Sequence, residues 1–64
     1  MCLSTVYKMT EKDPILFCKN IQNVSVNPGD GKLTFTDIMG IPYESTGKIR
    51  SIDLVDNKIM IEEN

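Results

Sequence analysis

The 64 residues break into short runs of alternating side chains separated by turn signals, and none of these runs makes a convincing helix. CLSTVYKM is rich in β-branched and aromatic residues, with Leu3, Thr5 and Tyr7 on one face and Cys2, Ser4, Val6 and Lys8 on the other. A polar stretch ending in Asp13-Pro14 closes that run. ILFCKNIQNVSVN reads as a strand from Ile15 to Cys18, an irregular residue or bulge, and a second strand near Val24 to Asn27. The bulge is expected because Ile21 and Val24, three apart, cannot share a face of one regular strand. PGDG at 28–31 is the clearest turn: Pro28 presets its φ, and Gly29 and Gly31 accept positive φ. KLTFTDIMG follows as a strand with Leu33 and Phe35 on one face, and Gly40 and Pro42 break the pattern. PYESTGK reads as a loop, KIRSIDLV as a strand with Ile52 and Leu54 facing one way, and Asp56-Asn57 as a two-residue hairpin turn. KIMIEE then places Ile59 and Ile61 on one face.

Five to seven short strands with regular turn spacing predict an all-β chain folded as one small barrel domain over residues 1–64. A domain of this size buries only about 60% of the surface its unfolded chain exposes. Its open sheet edges are a second liability. Closure of the barrel and pairing of two copies answer both, so a homodimer is expected.

Composition narrows the functional classes. A net charge of −2 and a pI near 4.8 disfavour nucleic acid and anionic membranes as partners. No apolar run reaches the roughly 18–20 residues of a membrane span, and no signal peptide is visible, so the expected compartment is the cytoplasm. There Cys2 and Cys18 are expected as reduced thiols, although only geometry decides against a bridge between them. The chain has no histidine, which excludes histidine-based nucleophilic sites, histidine general bases and the usual zinc sites. A non-enzymatic role is expected.

Cys2 is the residue with chemistry to offer. Its thiolate, its own backbone nitrogen and the α-amine of Met1 lie along one short covalent path and wrap an edge of a square plane in two fused chelate rings. Square-planar nitrogen and sulfur donors suit nickel(II) and copper(II). One chain supplies at most three such donors, whereas two copies related by a two-fold axis complete four-coordination with two thiolates and two nitrogens. The competing reading of Cys2 is a small apolar residue at a strand start. Cys18, between apolar neighbours, is expected in the core. The methionines Met1, Met9, Met39 and Met60 show no close spacing and are expected as core filling. Asp53, Asp56, Glu62 and Glu63 fit no calcium loop and read as a solvated face. Tyr7, Phe17, Phe35 and Tyr43 lack interleaved basic residues, which favours packing over stacking on bases.

MCLSTVY, FTDIMG and GKIRSIDLVDNKIMIEE together resemble the CooT family of small nickel-binding proteins, over almost the whole chain. The resemblance implies a homodimeric SH3-like or Sm-like β-barrel that binds nickel(II) at the N-terminal cysteine. That cysteine is Cys2 here, with Met1 supplying the adjacent amine. It also implies an accessory, metallochaperone-like role in maturing a nickel-dependent apo-enzyme such as carbon monoxide dehydrogenase. The alternative is a small RNA-binding or protein-interaction barrel without metal.

Overall fold

The computed structural model describes residues 3–63. It is all-β, with six strands: β1 Ser4–Lys8, β2 Ile15–Val26, β3 Leu33–Asp37, β4 Pro42–Ser45, β5 Lys48–Asp53 and β6 Lys58–Glu62. They form one sheet in the order β4-β3-β2-β1-β6-β5. All neighbours are antiparallel except β1 and β6, which run parallel.

The two edge strands, β4 and β5, are consecutive in the chain, joined only by Thr46 and Gly47. Six strands laid flat at about 4.8 Å spacing would put those edges roughly 24 Å apart. The link from Ser45 to Lys48 spans at most roughly 11 Å. The sheet therefore curls until its edges meet at one end. No ladder joins β4 to β5 among the described residues, so the closed barrel expected from the turn spacing is corrected to a curled, open sheet. The pattern of short strands signals curvature, but closure depends on a non-local pairing that local periodicity does not encode.

Extra residues produce the curl. Against β1, β2 carries one additional residue between the Ile21 and Cys18 pairs and another between Cys18 and Leu16. Against β3 it carries one more between Ile21 and Asn23, and β5 carries one against β6 between Ile49 and Ser51. Bulges of this kind bend a strand and increase its twist. The irregularity expected between Cys18 and Val24 is thus present, centred on Asn20, whose φ of 60° suits an asparagine. β2 does not break into two strands there. It runs on, serving β1 with its first half and β3 with its second.

Every strand feeds the concave face. Val6, Cys18, Ile21, Leu33, Phe35, Ile59 and Ile61 form the buried core, and Phe17, Val24, Tyr43 and Ile49 pack against it. Phe17 meets Phe35 and Tyr43 edge-on, with ring centroids 6.1 and 6.4 Å apart. Lys8 lies over the Phe17 ring and pairs with Glu63, closing one side. Tyr7 is the aromatic outside this cluster; it lines an open cleft of about 310 Å³ with Pro14, Lys58 and Met60. Met9 and Met60 are half-buried and Met39 is exposed, so none of the three fills the core as expected.

The turns bring further corrections. The 28–31 turn forms as expected, with Gly31 at φ 75°, while Gly29 keeps negative φ and donates to Asn27 Oδ1 at 2.8 Å. The first four residues of the expected loop PYESTGK form β4, because Pro42 starts an edge strand, where a missing N–H costs nothing. The β5–β6 turn takes four residues, Leu54–Asn57, rather than two. Asn57 adopts the expected positive φ, and Leu54 leaves the strand face for the turn. The Asp53 carboxylate explains the difference, since its Oδ1 accepts from the amides of Val55 and Asp56 at 2.9 Å each and rolls the chain over early.

Two substitutions test this account. A Cβ on Gly47 would stand 2.2 Å from the Glu62 carbonyl at a φ of 119°, so Gly47→Ala should destabilise the fold by about 1–3 kcal/mol in urea melts. Buried Asp37 holds the β3–β4 turn by accepting from Met39 N, Ile41 N and the Tyr43 hydroxyl, and Asp37→Ala should cost about 1–3 kcal/mol by the same measurement.

Candidate metal centre

Met1 and Cys2, the ligands expected from the sequence, lie outside the described residues. What is described is the chain that follows them. Leu3 is half-buried and leads into β1, which is an interior strand of the sheet with β2 on one side and β6 on the other. Ser4 stands opposite Ile21. The Thr5 amide donates to the Asn57 carbonyl at 2.9 Å, which ties the start of β1 to the β5–β6 turn. Val6 points into the core between Cys18 and Ile59. It fixes the even parallel register with β6, whereas the register with β2 shifts on both sides of the Val6–Cys18 pair.

The second cysteine is placed where the sequence put it. Cys18 stands opposite Val6, is 6% exposed and is a free thiol. Burial pushes its pKa from 9.0 up to about 11, the charge of Asp37 adds to the rise, and Lys8 opposes it. A soft metal binds the thiolate, so a thiol held protonated in the core is a poor ligand. Tyr43 is shifted upward as well, first by burial, then by the charge and hydrogen bond of Asp37.

The remaining polar groups do not converge on an ion. Among the described residues, no group of three or more cysteines, aspartates or glutamates is placed to hold a metal. Three of the four acidic residues expected as a solvated face have structural partners: Glu62 pairs with Arg50 at 3.1 Å, Glu63 with Lys8, and Asp53 caps its own turn. A second cleft, of about 360 Å³, lies where the sheet edges meet and is lined by Val26, Leu33, Gly31, Gly47, Lys48 and Ile49, with no soft donor. Among the described residues, no helix is long and apolar enough to cross a membrane.

The sequence reading missed one feature of this end of the molecule. Leu54 and Val55, read as the end of a strand, stand 80% and 90% exposed in the turn that holds Thr5. The signal was present in Asp53, two residues before Val55, a spacing that favours a side-chain-capped turn.

Comparison with known proteins places this architecture. The family model described as CO dehydrogenase accessory protein CooT matches residues 1–62. The chain belongs to the CooT family. The match takes in Met1 and Cys2 as well as all six strands. A solved crystal structure of a protein described as a CooT from Carboxydothermus hydrogenoformans superposes with a TM-score of 0.86. It is 21% identical and covers 98% of both chains, so the likeness shows a shared fold. Among curated proteins, none matches the chain.

The Cys18 environment gives a pH test. A group whose pKa is raised on folding contributes stability that is complete below its unfolded value and lost as pH rises through the folded one. Stability should therefore fall between pH 9 and about 11, and Cys18→Ala should make that fall shallower in denaturant titrations at each pH. At pH 8 iodoacetamide should leave Cys18 unmodified until the protein is unfolded.

Proposed function

We propose that this CooT-family chain is a nickel(II)-binding accessory protein, one ion being held by a homodimer through the Cys2 thiolate of each copy. Met1 supplies the adjacent amine. The observation that carries the reading is the match to the CO dehydrogenase accessory family across the Met-Cys opening. Three others support it. The sequence has two cysteines and no histidine, so soft donors are scarce. Cys18 is sequestered in the core. The carboxylates of the described residues are dispersed rather than clustered. Apart from methionine thioethers that show no close spacing, what remains for a soft or borderline cation is the sulfur and nitrogen set at positions 1 and 2, whose square-planar bias fits nickel(II).

The ion is cargo rather than a resident cofactor. A set of thiolate, amide and amine donors releases its metal when protons or a competing site displace them. That suits a protein that hands nickel to an apo-enzyme, of which a nickel-dependent carbon monoxide dehydrogenase is the candidate recipient. The working compartment is the cytoplasm, where the thiols stay reduced. Excess acidic charge argues against the RNA-binding alternative.

Nickel(II) titrated into metal-free protein with an unextended N-terminus should produce thiolate-to-nickel charge-transfer absorption that saturates at one ion per two chains. Cys2→Ser should abolish the bands. A residue added before Met1 should weaken binding while leaving the thiolate bands visible. Retention of full affinity by Cys2→Ser would refute the site.

A further inference from the structure

The turn after β2 and the link between β4 and β5 wall a cleft that the candidate metal centre does not use. Its floor is Leu33, buried at the start of β3, and its sides are Val26, Ile49 and the bare backbone of Gly31 and Gly47. Val26 keeps 56% of its surface exposed there. The walls are fixed in place. The Gly31 amide donates to the Asn27 carbonyl at 2.7 Å, the Asn27 amide to the Lys32 carbonyl at 2.9 Å, and the Lys32 amide to Asp30 Oδ1 at 2.9 Å. Gly47 stands against the backbone of Glu62 and Glu63.

The cleft lies where the two open edges of the sheet come together. β5 pairs with β6 on one side only, so the outer side of its backbone is unpaired. β4 is the blunter edge, because it is four residues long and starts with Pro42. An open edge beside an apolar hollow takes an extended segment as an added strand. Backbone bonds give affinity and the hollow selects a side chain. The extra residue between Ile49 and Ser51 bends β5 beyond the cleft, which confines such a contact to the Lys48–Ile49 end. Lysine on an edge also guards against aggregation, but that task does not call for an open hollow next to it. Charge narrows the occupant. Among the described residues, the charged side chain lining the cleft is Lys48. It stands opposite Glu62 in the register, yet Glu62 pairs with Arg50 at 3.1 Å. Lys48 itself makes no ion pair among the described residues.

We infer that this cleft docks an extended segment of a different protein, one carrying a large apolar side chain next to a carboxylate. The apolar side chain enters between Val26 and Ile49 over Leu33, and the carboxylate meets Lys48. Location decides between a different protein and a second copy. Ser4, Ile21 and Asp37 stand in one row at the start of β1, and Leu33 lies four residues back along β3, about 13 Å away. With an ion shared between two Cys2 residues, the second copy sits at the chain start. The cleft at the other end stays open for the protein that receives the ion. That choice of partner rests on the proposed reading; the cleft and its chemistry do not.

Fluorescence anisotropy on the full chain tests this with short labelled peptides, each placing Phe-Asp, Leu-Asp or Ile-Asp amid Thr and Val. At least one should bind saturably. Replacing its Asp by Lys, or its apolar anchor by Ala, should weaken binding by about fivefold or more. Lys48→Glu and Val26→Asp should each weaken it as much with unchanged circular dichroism, and Lys48→Glu should prefer the Lys-bearing peptide to its Asp parent. Bound peptide should shift the amide resonances of Val26, Gly31, Leu33, Lys48 and Ile49 most. Failure of all the peptides to bind, binding indifferent to both substitutions, or shifts confined to other residues overturns the inference. The same shifts on concentrating the protein alone overturn it too, since they make a second copy the occupant. Peptide binding that needs Lys48 in a parent that takes up no nickel sinks the metal reading and supports the cleft.

Discussion

The link between β4 and β5 is the constraint on which the architecture depends. Two residues, Thr46 and Gly47, connect strands at opposite edges of a six-stranded sheet. A flat sheet cannot satisfy them. Gly47 fits because a backbone segment, Glu62 to Glu63, occupies the space where a side chain would stand. The extra residues in β2 and β5 supply the bending, and the concave face that results is where Val6, Phe35 and Ile61 become fully buried.

That geometry also decides what stays outside. A single curled sheet of 64 residues has one inner face, and the described core holds seven side chains. Apolar residues in the turns have nowhere to go but solvent or a partner. The same curl sets β1 in the interior of the sheet, paired on both sides, with Thr5 near its start bonded to the β5–β6 turn. Fold and candidate site are connected through this one strand. Its middle is core, and its beginning is available for other work.

Much of this was legible in the sequence, for reasons that are local. The alternation of Leu33 with Phe35 and of Ile59 with Ile61 identifies buried faces because the strand period is two. The three-residue spacing of Ile21 and Val24 exposes the irregularity in β2 because a regular strand would place them on opposite faces. What was not legible is non-local or depends on competing turn chemistry. The parallel pairing of β1 with β6 joins opposite ends of the chain. β4 was hidden by the glycine and proline around it, and Asp53 captured Leu54 and Val55 into a turn that hydropathy alone assigns to a strand. For the candidate site, donor types in the Met-Cys opening suggest a chemistry, but those two residues lie outside the described ones. The neighbourhood of β1 that follows them was not legible, because the Asn57 and Asn20 carbonyls bring it together from distant parts of the sequence.

The two cysteines show why a soft-metal site in this chain would be built at a symmetry axis. The interior takes one thiol and raises its pKa, with the Asp37 charge close enough to add to the effect. The fold therefore works against a thiolate in its core, and one cysteine is left per chain. With no histidine to help, a single copy offers one thiolate outside the core and the nitrogens next to it, short of a full thiolate-rich plane. On the proposed reading, a second thiolate would come from a second chain. Association would then supply both the missing donor and a cover for side chains the core cannot hold.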